Sequence, residues 1–435
     1  MGTGPGGLSE YQELFDNYPR LMGGFIWEWL EHGIYTKQNG ETITNYGGDF
    51  GEVVHDGNFV IDGLVSAGRK PRAQLFDLAR VFAPVRLKLN DEVTELHMIS
   101  RLDHSDTKNL SLHYEVRSVA GVVESGQIAY SPIAPRAKAQ IALPKSLSAS
   151  LQAEARVLTL WLQTVAETPG VPAGWIVATV QAKSKGLIVS DSAKPNGSSR
   201  SASSTAASSA AADTITDAVD FDAATGQPTR IWNEPISNWA LTLWRAPTDN
   251  DMGAAWDEQG EPAAEKRWKQ LGLDRLVSRL VSIENSKDAV VIKTRVGAAS
   301  TNAAVDCLWK WSLTTEGLSL ELTVEPIGSW PKEWSSHWAR VGIEFTVSAG
   351  EETPVSWFGK GPGQSYPDTG QGTSWGWFTA SIDELQERTV RPQESSRRAD
   401  VLSAQIGSQL STRFQEGVGM TIRPWSTATV AKVTH

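Results

Sequence analysis

The amino-acid sequence predicts a mainly β protein of two or three domains, in which a short α/β segment precedes two β-sandwich regions. First, the chain has 435 residues, which is long enough to bury several hydrophobic cores. Second, the spacing of apolar residues changes from helical to alternating at about residue 85. Third, a low-complexity Ser/Ala stretch, residues 192–214, separates one alternating region from the next.

The first 84 residues combine two predicted helices with one predicted strand. Apolar residues at helical spacing predict one helix over residues 8–17 and another over residues 71–83. Between them, the run GGFIWEWL at residues 23–30 is typical of a parallel strand that is buried on both faces. One strand cannot form a sheet by itself, so we interpret this segment as the last part of a larger α/β domain.

Two later regions show the alternation of antiparallel strands. Within residues 85–190, LTLWLQ at 158–163 places a leucine at every second position, which predicts a sandwich-type module. Residues 191–215 contain almost no bulky apolar side chain, so we interpret them as a flexible linker. Residues 216–435 alternate again, as in LSLELTV at 318–324, and their length suits a large β-sandwich.

Charge and hydropathy argue against two classes of partner. A net charge of -10 and a pI near 5.3, without a basic cluster, do not suit a nucleic-acid-binding protein, because such binding requires positive charge facing phosphates. The longest apolar runs are far shorter than the roughly 20 residues of a membrane span, and no secretory leader opens the chain. The single cysteine, Cys307, fits a reducing compartment, so we expect a cytoplasmic protein without a membrane partner.

Tryptophan is unusually frequent. The 18 Trp residues outnumber the 7 Tyr and the 11 Phe. An indole ring can stack on the C–H face of a sugar while its N–H donates a hydrogen bond, although most of these rings are expected in cores. The composition therefore hints at carbohydrate, and one hypothesis is a non-catalytic carbohydrate-binding or assembly module made of β-sandwiches.

Longer motifs carry a resemblance to a known family. GGLSEYQELFDNYPRLMGGFIWEWLEHGI at 6–34, followed by YGGDFGEVVHDGNFVIDGLVSAGRKP at 46–71, resembles the end of the catalytic barrel of glycoside hydrolase family 2 β-galactosidases. LWRAPTDNDMG at 243–253, WFGKGPGQSYPD at 357–368 and RPQES at 391–395 resemble later parts of the same family, in the same order.

The resemblance implies a fold for each region of the chain. Residues 1–84 are then the last βα portion of a TIM barrel, and residues 85–190 are an immunoglobulin-like β-sandwich. After the linker, residues 216–435 are a large β-sandwich of the galactose-mutarotase-like kind, corresponding to the family's small-chain domain.

The resemblance also implies retaining hydrolysis of terminal β-galactosides such as lactose, with one Glu as nucleophile and another as general acid/base. The family's nucleophile stands in a Glu-Tyr-Ala-His-Ala-Met-Gly motif, of which Met1 and Gly2 match the last two positions. We therefore expect both catalytic carboxylates and most Mg²⁺ ligands outside this chain, and family members also continue beyond the position of His435. The chain is expected to be inactive alone, to require the missing barrel portion or a partner subunit, and to form a homo-oligomer when intact.

Three positions near the start are implied as site residues. Trp27 matches a tryptophan of the family's galactose subsite, whereas from the residues alone a core tryptophan is the commoner outcome. The backbone carbonyl of Phe59 and the side chain of Asp62 match ligands of a sodium ion beside the galactose. The alternative for Asp62 is a turn-forming residue before Gly63.

A later acidic loop is the remaining candidate. Asp249, Asn250 and Asp251 by themselves predict an Asx turn or a weak metal loop, while the resemblance implies a loop that approaches the active site and flexes at Gly253.

The carboxylates Glu28 and Glu31 stand close together in the aromatic run. Neither occupies a catalytic position of the family, so we interpret them as non-catalytic.

Overall fold

The structure, a computed structural model, describes residues 6–153, 155–184, 214–253, 263–315, 317–331 and 338–433. Within them, 22 strands and seven α-helices confirm a mainly β protein. The predicted linker lies outside the described residues as far as residue 213. No helix of the described part is long and apolar enough to cross a membrane.

The chain divides into two compact units. The first unit comprises Met1–Ser198, Glu351–Val390 and Ser395–Arg423. The second comprises Ser199–Gly350, Arg391–Glu394 and Pro424–His435. Each unit is therefore assembled from segments that are distant in sequence.

Both helices predicted in the opening segment are present. They are α1, Leu8–Asn17, and α2, Ala73–Val81. Between them, β1, Ile34–Gln38, pairs with β2, Glu41–Asn45, in an antiparallel hairpin, and a 3-10 helix spans Gly57–Val60.

The buried strand predicted over residues 23–30 is wrong. This segment forms no strand, and its backbone pairing is limited to one parallel bridge between Leu30 and Val65. Phe25 and Trp27 are exposed rather than buried. A strand buried on both faces needs hydrogen-bonded neighbours and covering layers, and the described residues around this run supply only the segment at Val65.

The first sandwich follows the predicted alternation. Leu158, Leu160 and Leu162 are fully buried, and the residues between them are partly exposed. All pairings in its three-stranded sheet, order β3-β4-β7, and its four-stranded sheet, order β6-β5-β8-β9, are antiparallel. The elements are β3, Val85–Leu89; β4, Glu95–Ser100; β5, Leu110–Ser118; β6, Gly121–Ile128; β7, Lys138–Ala142; α3, Lys145–Ser150; β8, Val157–Thr164; and β9, Ile176–Lys183.

The second unit is built around an antiparallel sheet of order β14-β15-β16-β17. Its core contains Trp239, Trp309 and Trp311, and the Trp309 indole N–H donates to Thr294 Oγ1 at 3.0 Å. The elements are α4, Ile215–Ala218; β10, Val219–Phe221; β11, Pro228–Ile231; β12, Glu234–Pro235; β13, Ser237–Thr242; α5, Asp249–Met252; α6, Ala264–Leu271; β14, Val277–Asn285; β15, Ala289–Gly297; β16, Ala304–Thr314; β17, Gly317–Ile327; and β18, Gly342–Thr346.

The predicted alternation at 318–324 is confirmed, since the four apolar residues of this stretch pack on the core while their neighbours are exposed. Cys307 is also buried in this core, and burial raises the pKa of its thiol to about 11, which makes it unsuited to act as a nucleophile.

A last sheet, of order β20-β19-β21-β22, belongs to the first unit. It packs on the first sandwich through a cluster of Val157, Phe358 and Leu402, and Gln181 binds both backbone groups of Trp375. The elements are β19, Pro354–Gly361; β20, Ser374–Ser381; β21, Arg398–Ile406; and β22, Leu410–Met420. The short helix α7, Thr427–Val430, follows in the second unit.

Candidate functional site

The aromatic segment that contains Trp27 is held by backbone hydrogen bonds to one neighbouring segment. The Leu64 N–H donates to the Glu28 carbonyl at 2.9 Å, and the Val65 N–H donates to the Trp29 carbonyl at 2.8 Å. The Trp27 side chain is 76 % exposed, so it is not a core tryptophan in this structure. A ring anchored by its backbone and open on its faces can stack on a flat ligand.

The close approach of these two segments requires glycine at position 63. A Cβ added to Gly63 would overlap the Glu31 amide nitrogen and lie 2.7 Å from both the Leu30 carbonyl carbon and the Val65 carbonyl oxygen. All three atoms belong to the backbone and cannot swing away as a side chain can. Gly63 therefore does more than end a turn, because it permits the contact between the segments.

Both glutamates of the aromatic segment already have partners. Glu31 is 3 % exposed, binds the Arg72 guanidinium, and accepts a hydrogen bond from the Ala67 N–H at 3.0 Å. Glu28 lies 3.0 Å from His32 Nε2. Both carboxylates are therefore engaged in contacts within this part of the chain.

Asp62 has an unusual environment for an acidic residue. Its Oδ1 atom is buried and has no hydrogen-bond partner among the described residues. Burying a carboxylate oxygen without a partner is costly, and such an oxygen is a suitable ligand for a hard cation. Phe59 lies three residues earlier, in the 3-10 helix, and its N–H donates to the backbone carbonyl of Asp56.

The chemistry of the Asp62 oxygen is compatible with a bound cation. Among the residues that the structure describes, no group of three or more His, Cys, Asp or Glu side chains could hold a metal ion. The buried oxygen of Asp62 is a hard donor, and it fits a hard cation such as Na⁺.

The acidic loop of the second unit forms a short helix, α5, rather than an open metal loop. Asp251 accepts hydrogen bonds from the Thr248 N–H at 2.7 Å and the Thr248 hydroxyl at 2.8 Å, and the first of these bonds is part of a capping box. Arg245 binds both oxygens of the same carboxylate, at 2.5 and 3.0 Å. Asp251 is therefore engaged in holding the helix N-terminus.

Asp249 is held by residues that sequence analysis did not identify. Its carboxylate accepts from Arg391 Nη1 at 2.9 Å and Gln393 Nε2 at 3.2 Å. The RPQES motif contains both partners, but pairing across more than 140 residues leaves no signal in a single sequence. Asn250 is exposed, and Gly253 ends the helix with a φ of 71°, which favours glycine.

Profile comparisons first identify the class of protein. The opening segment, residues 1–87, matches the profile "Glycosyl hydrolases family 2, TIM barrel domain". Residues 96–185 match "Beta-galactosidase, domain 4", and residues 216–435 match "Beta galactosidase small chain". The chain therefore belongs to the β-galactosidases of glycoside hydrolase family 2, as the motifs predicted.

Individual relatives agree with this assignment. The chain is 32 % identical over 429 residues to a β-galactosidase of Arthrobacter sp. (strain B7), a match that covers 92 % of this chain and 40 % of that protein. It is 27 % identical over 427 residues to a β-galactosidase of Priestia megaterium (strain DSM 319 / IMG 1521), covering 95 % and 39 %. The chain thus spans about two fifths of the length of these curated relatives.

Proposed function

We propose that this chain supplies part of the galactose site of a β-galactosidase that hydrolyses terminal non-reducing β-D-galactosides, such as lactose, with retention. The observation that carries the proposal is the exposed Trp27, anchored beside the segment of Asp62, in a chain with family matches along most of its length. We infer that the nucleophile and the general acid/base come from another stretch of the barrel, carried by a longer polypeptide or a partner subunit.

Trp27 is proposed as the stacking platform for the galactose ring. Its large exposed fraction leaves an indole face free, and its backbone neighbourhood is fixed by the hydrogen bonds at Glu28 and Trp29. The apolar face of galactose would cover the ring and remove both surfaces from water. Such a contact orients the sugar without taking part in proton transfer.

Asp62 and the Phe59 carbonyl are proposed as two ligands of a sodium ion, and the buried, unpartnered Oδ1 atom of Asp62 supports this role. A bound Na⁺ would balance the buried carboxylate and offer an open coordination position to a sugar hydroxyl. Mg²⁺, the second cation of the family, would be held by residues of the barrel portion outside this chain.

The helix of Asp249, Asn250 and Asp251, with Gly253 at its end, is proposed as the start of a loop that borders the substrate. Because arginines hold both aspartates, the exposed Asn250 is the side chain available to a ligand. For the whole enzyme we propose a cytoplasmic homo-oligomer.

The proposal is tested with the isolated chain and with a chimaera in which it replaces the matching part of the Arthrobacter relative. On a nitrophenyl β-galactoside the isolated chain should show no turnover, because a retaining reaction needs two positioned carboxyl groups. The chimaera should hydrolyse the substrate, and W27A should reduce its kcat/KM by about 10- to 1000-fold, the scale of a lost stacking and positioning contact.

Replacement of the second exposed tryptophan of the segment, W29F, provides the matched control. Sustained turnover by the isolated chain, or a chimaera in which W27A acts no more strongly than W29F, would contradict the proposal. Tight galactose binding by the isolated chain would instead favour a carbohydrate-binding module.

A further inference from the structure

The ion pair between Glu31 and Arg72 takes no part in the proposed chemistry, yet it joins the two segments that matter for it. Trp27 precedes Glu31 by four residues, and Asp62 precedes Arg72 by ten. The pair is withdrawn from water, with side-chain exposures of 2 % for Glu31 and 17 % for Arg72. A buried carboxylate paired with a largely covered arginine so far along the sequence implies a structural link between the segments.

We propose that Glu31 is a positioning residue that fixes the Asp62 segment against the Trp27 segment, through the Ala67 N–H and the Arg72 guanidinium. The relevance of this link to sugar and cation binding rests on the proposed function. The existence of the link does not depend on the proposed function, because hydrogen bonds within this chain define it.

The geometry of the turn after Asp62 explains how the single carboxylate of Glu31 can hold the whole turn. The chain reverses between Leu64 and Arg72, where the Arg72 N–H donates to the Leu64 carbonyl at 3.0 Å and the Ser66 N–H donates to the Lys70 carbonyl at 2.9 Å. Ala67 lies within the turn, and Arg72 lies at its returning end. By binding both, Glu31 closes the turn onto the aromatic segment.

Arg72 extends the link to the next helix. It is the N-cap residue of α2, and the Leu75 N–H donates to its carbonyl at 3.0 Å. The aromatic segment, the turn and the start of α2 therefore share one buried charge pair. Removing either partner would leave the other charge buried without compensation, which is strongly unfavourable.

The neighbouring pair of Glu28 and His32 shows what such a link requires. His32 is 61 % exposed in its side chain, and the two residues lie on one segment, so their contact joins no separate elements. Water screens exposed ion pairs of this kind, so they do little to fix the positions of the residues that form them. Of the two glutamates in the aromatic segment, only Glu31 meets the conditions for a positioning role.

The test is hydrogen exchange of the full chain, followed by mass spectrometry on peptides that cover residues 27–33 and 62–72. E31A should accelerate exchange in both peptides by at least about tenfold, because the link between the segments opens more often. E31Q keeps an acceptor for the Ala67 N–H, so it should restore part of the protection. D16N, which removes another arginine-bound carboxylate of the first unit, is the matched control and should leave both peptides unchanged.

Two results of this arm would overturn the proposal. One is exchange in E31A that stays within about twofold of the original chain in both peptides. The other is equal acceleration in the strand Val157–Thr164, which would make Glu31 a general stability residue rather than a local positioning residue.

A second arm compares sodium chloride with tetramethylammonium chloride at the same ionic strength of about 0.1 M. Sodium should slow exchange at residues 58–65 in the original chain, and E31A should abolish this effect. A sodium effect that persists at full strength in E31A would overturn the positioning role. If the original chain shows no sodium effect, the sodium part of the proposed function fails, and the first arm alone decides the role of Glu31.

Discussion

Substituting alanine for Gly63 tests whether the contact between the two segments sets the local structure. The new Cβ would lie 2.7 Å from two backbone atoms, against 3.4 Å for the shortest ordinary contact, which is an overlap of 0.7 Å (3.4 minus 2.7) with each. Because these atoms are backbone, relief requires the segments to separate.

The expected cost follows from the hydrogen bonds that separation would break. Three backbone bonds join Leu64 and Val65 to the aromatic segment: Leu64 to Glu28, Val65 to Trp29, and Glu31 to Val65. At about 1 kcal/mol each, and with overpacking itself costing about 1–3 kcal/mol, we expect G63A to lose about 2–4 kcal/mol of local stability. In hydrogen exchange of the peptides around these amides, this loss corresponds to an acceleration of about 30- to 1000-fold.

Gly363 provides the matched control. A Cβ added there meets no atom within 4 Å, and its backbone does not require glycine. G363A should therefore leave exchange unchanged. If G63A exchanged like G363A in the same peptides, the close approach would not constrain this part of the chain, and our explanation of the glycine would be refuted.

Two further predictions concern carboxylates outside the aromatic segment. Burial raises the pKa of Asp77, whose side chain accepts from the Gly372 N–H at 2.5 Å, so the folded chain holds this proton more tightly than the unfolded chain. The contribution of Asp77 to stability should fall as the pH rises from about 3.8 through its raised pKa, so D77N should change the slope of stability against pH in urea-unfolding titrations, whereas parallel pH profiles of the two chains would contradict the assignment. In the second unit, D249A and R391A should show a coupling of about 1–2 kcal/mol in a double-mutant cycle followed by tryptophan fluorescence, and D249A combined with the exposed control N250A should show none.

The spacing of apolar residues correctly predicted those strands and helices whose packing partners lie within this chain. Alternation identified β8 and β17 because their cores are built from neighbouring strands of the same units. Helical spacing identified α1 and α2, although the most buried residue of α2 is Asp77 rather than one of its apolar side chains. The spacing of apolar residues therefore predicted the position of the helix better than it predicted which face of the helix is buried.

The failures have one physical cause, which is dependence on distant partners. The run GGFIWEWL has the composition of a buried strand, but among the residues that the structure describes only the segment at Val65 pairs with it, and Phe25 and Trp27 are exposed. Likewise, the bonds from Arg72 to Glu31 and from Arg391 to Asp249 connect residues 41 and 142 positions apart. A single sequence shows that such residues are charged, but not which of them meet.

Burial separates two kinds of residue around the candidate sugar site. The side chain proposed to touch the ligand, Trp27, is exposed, whereas Glu31 and Gly63, which hold its backbone neighbourhood, are buried. The contact made by Trp27 depends on a ligand or a partner subunit. The contacts made by Glu31 and Gly63 lie within this chain and need neither. Substitutions at Trp27 should therefore change binding without changing local protection, and substitutions at Glu31 or Gly63 should change local protection even where no ligand is present.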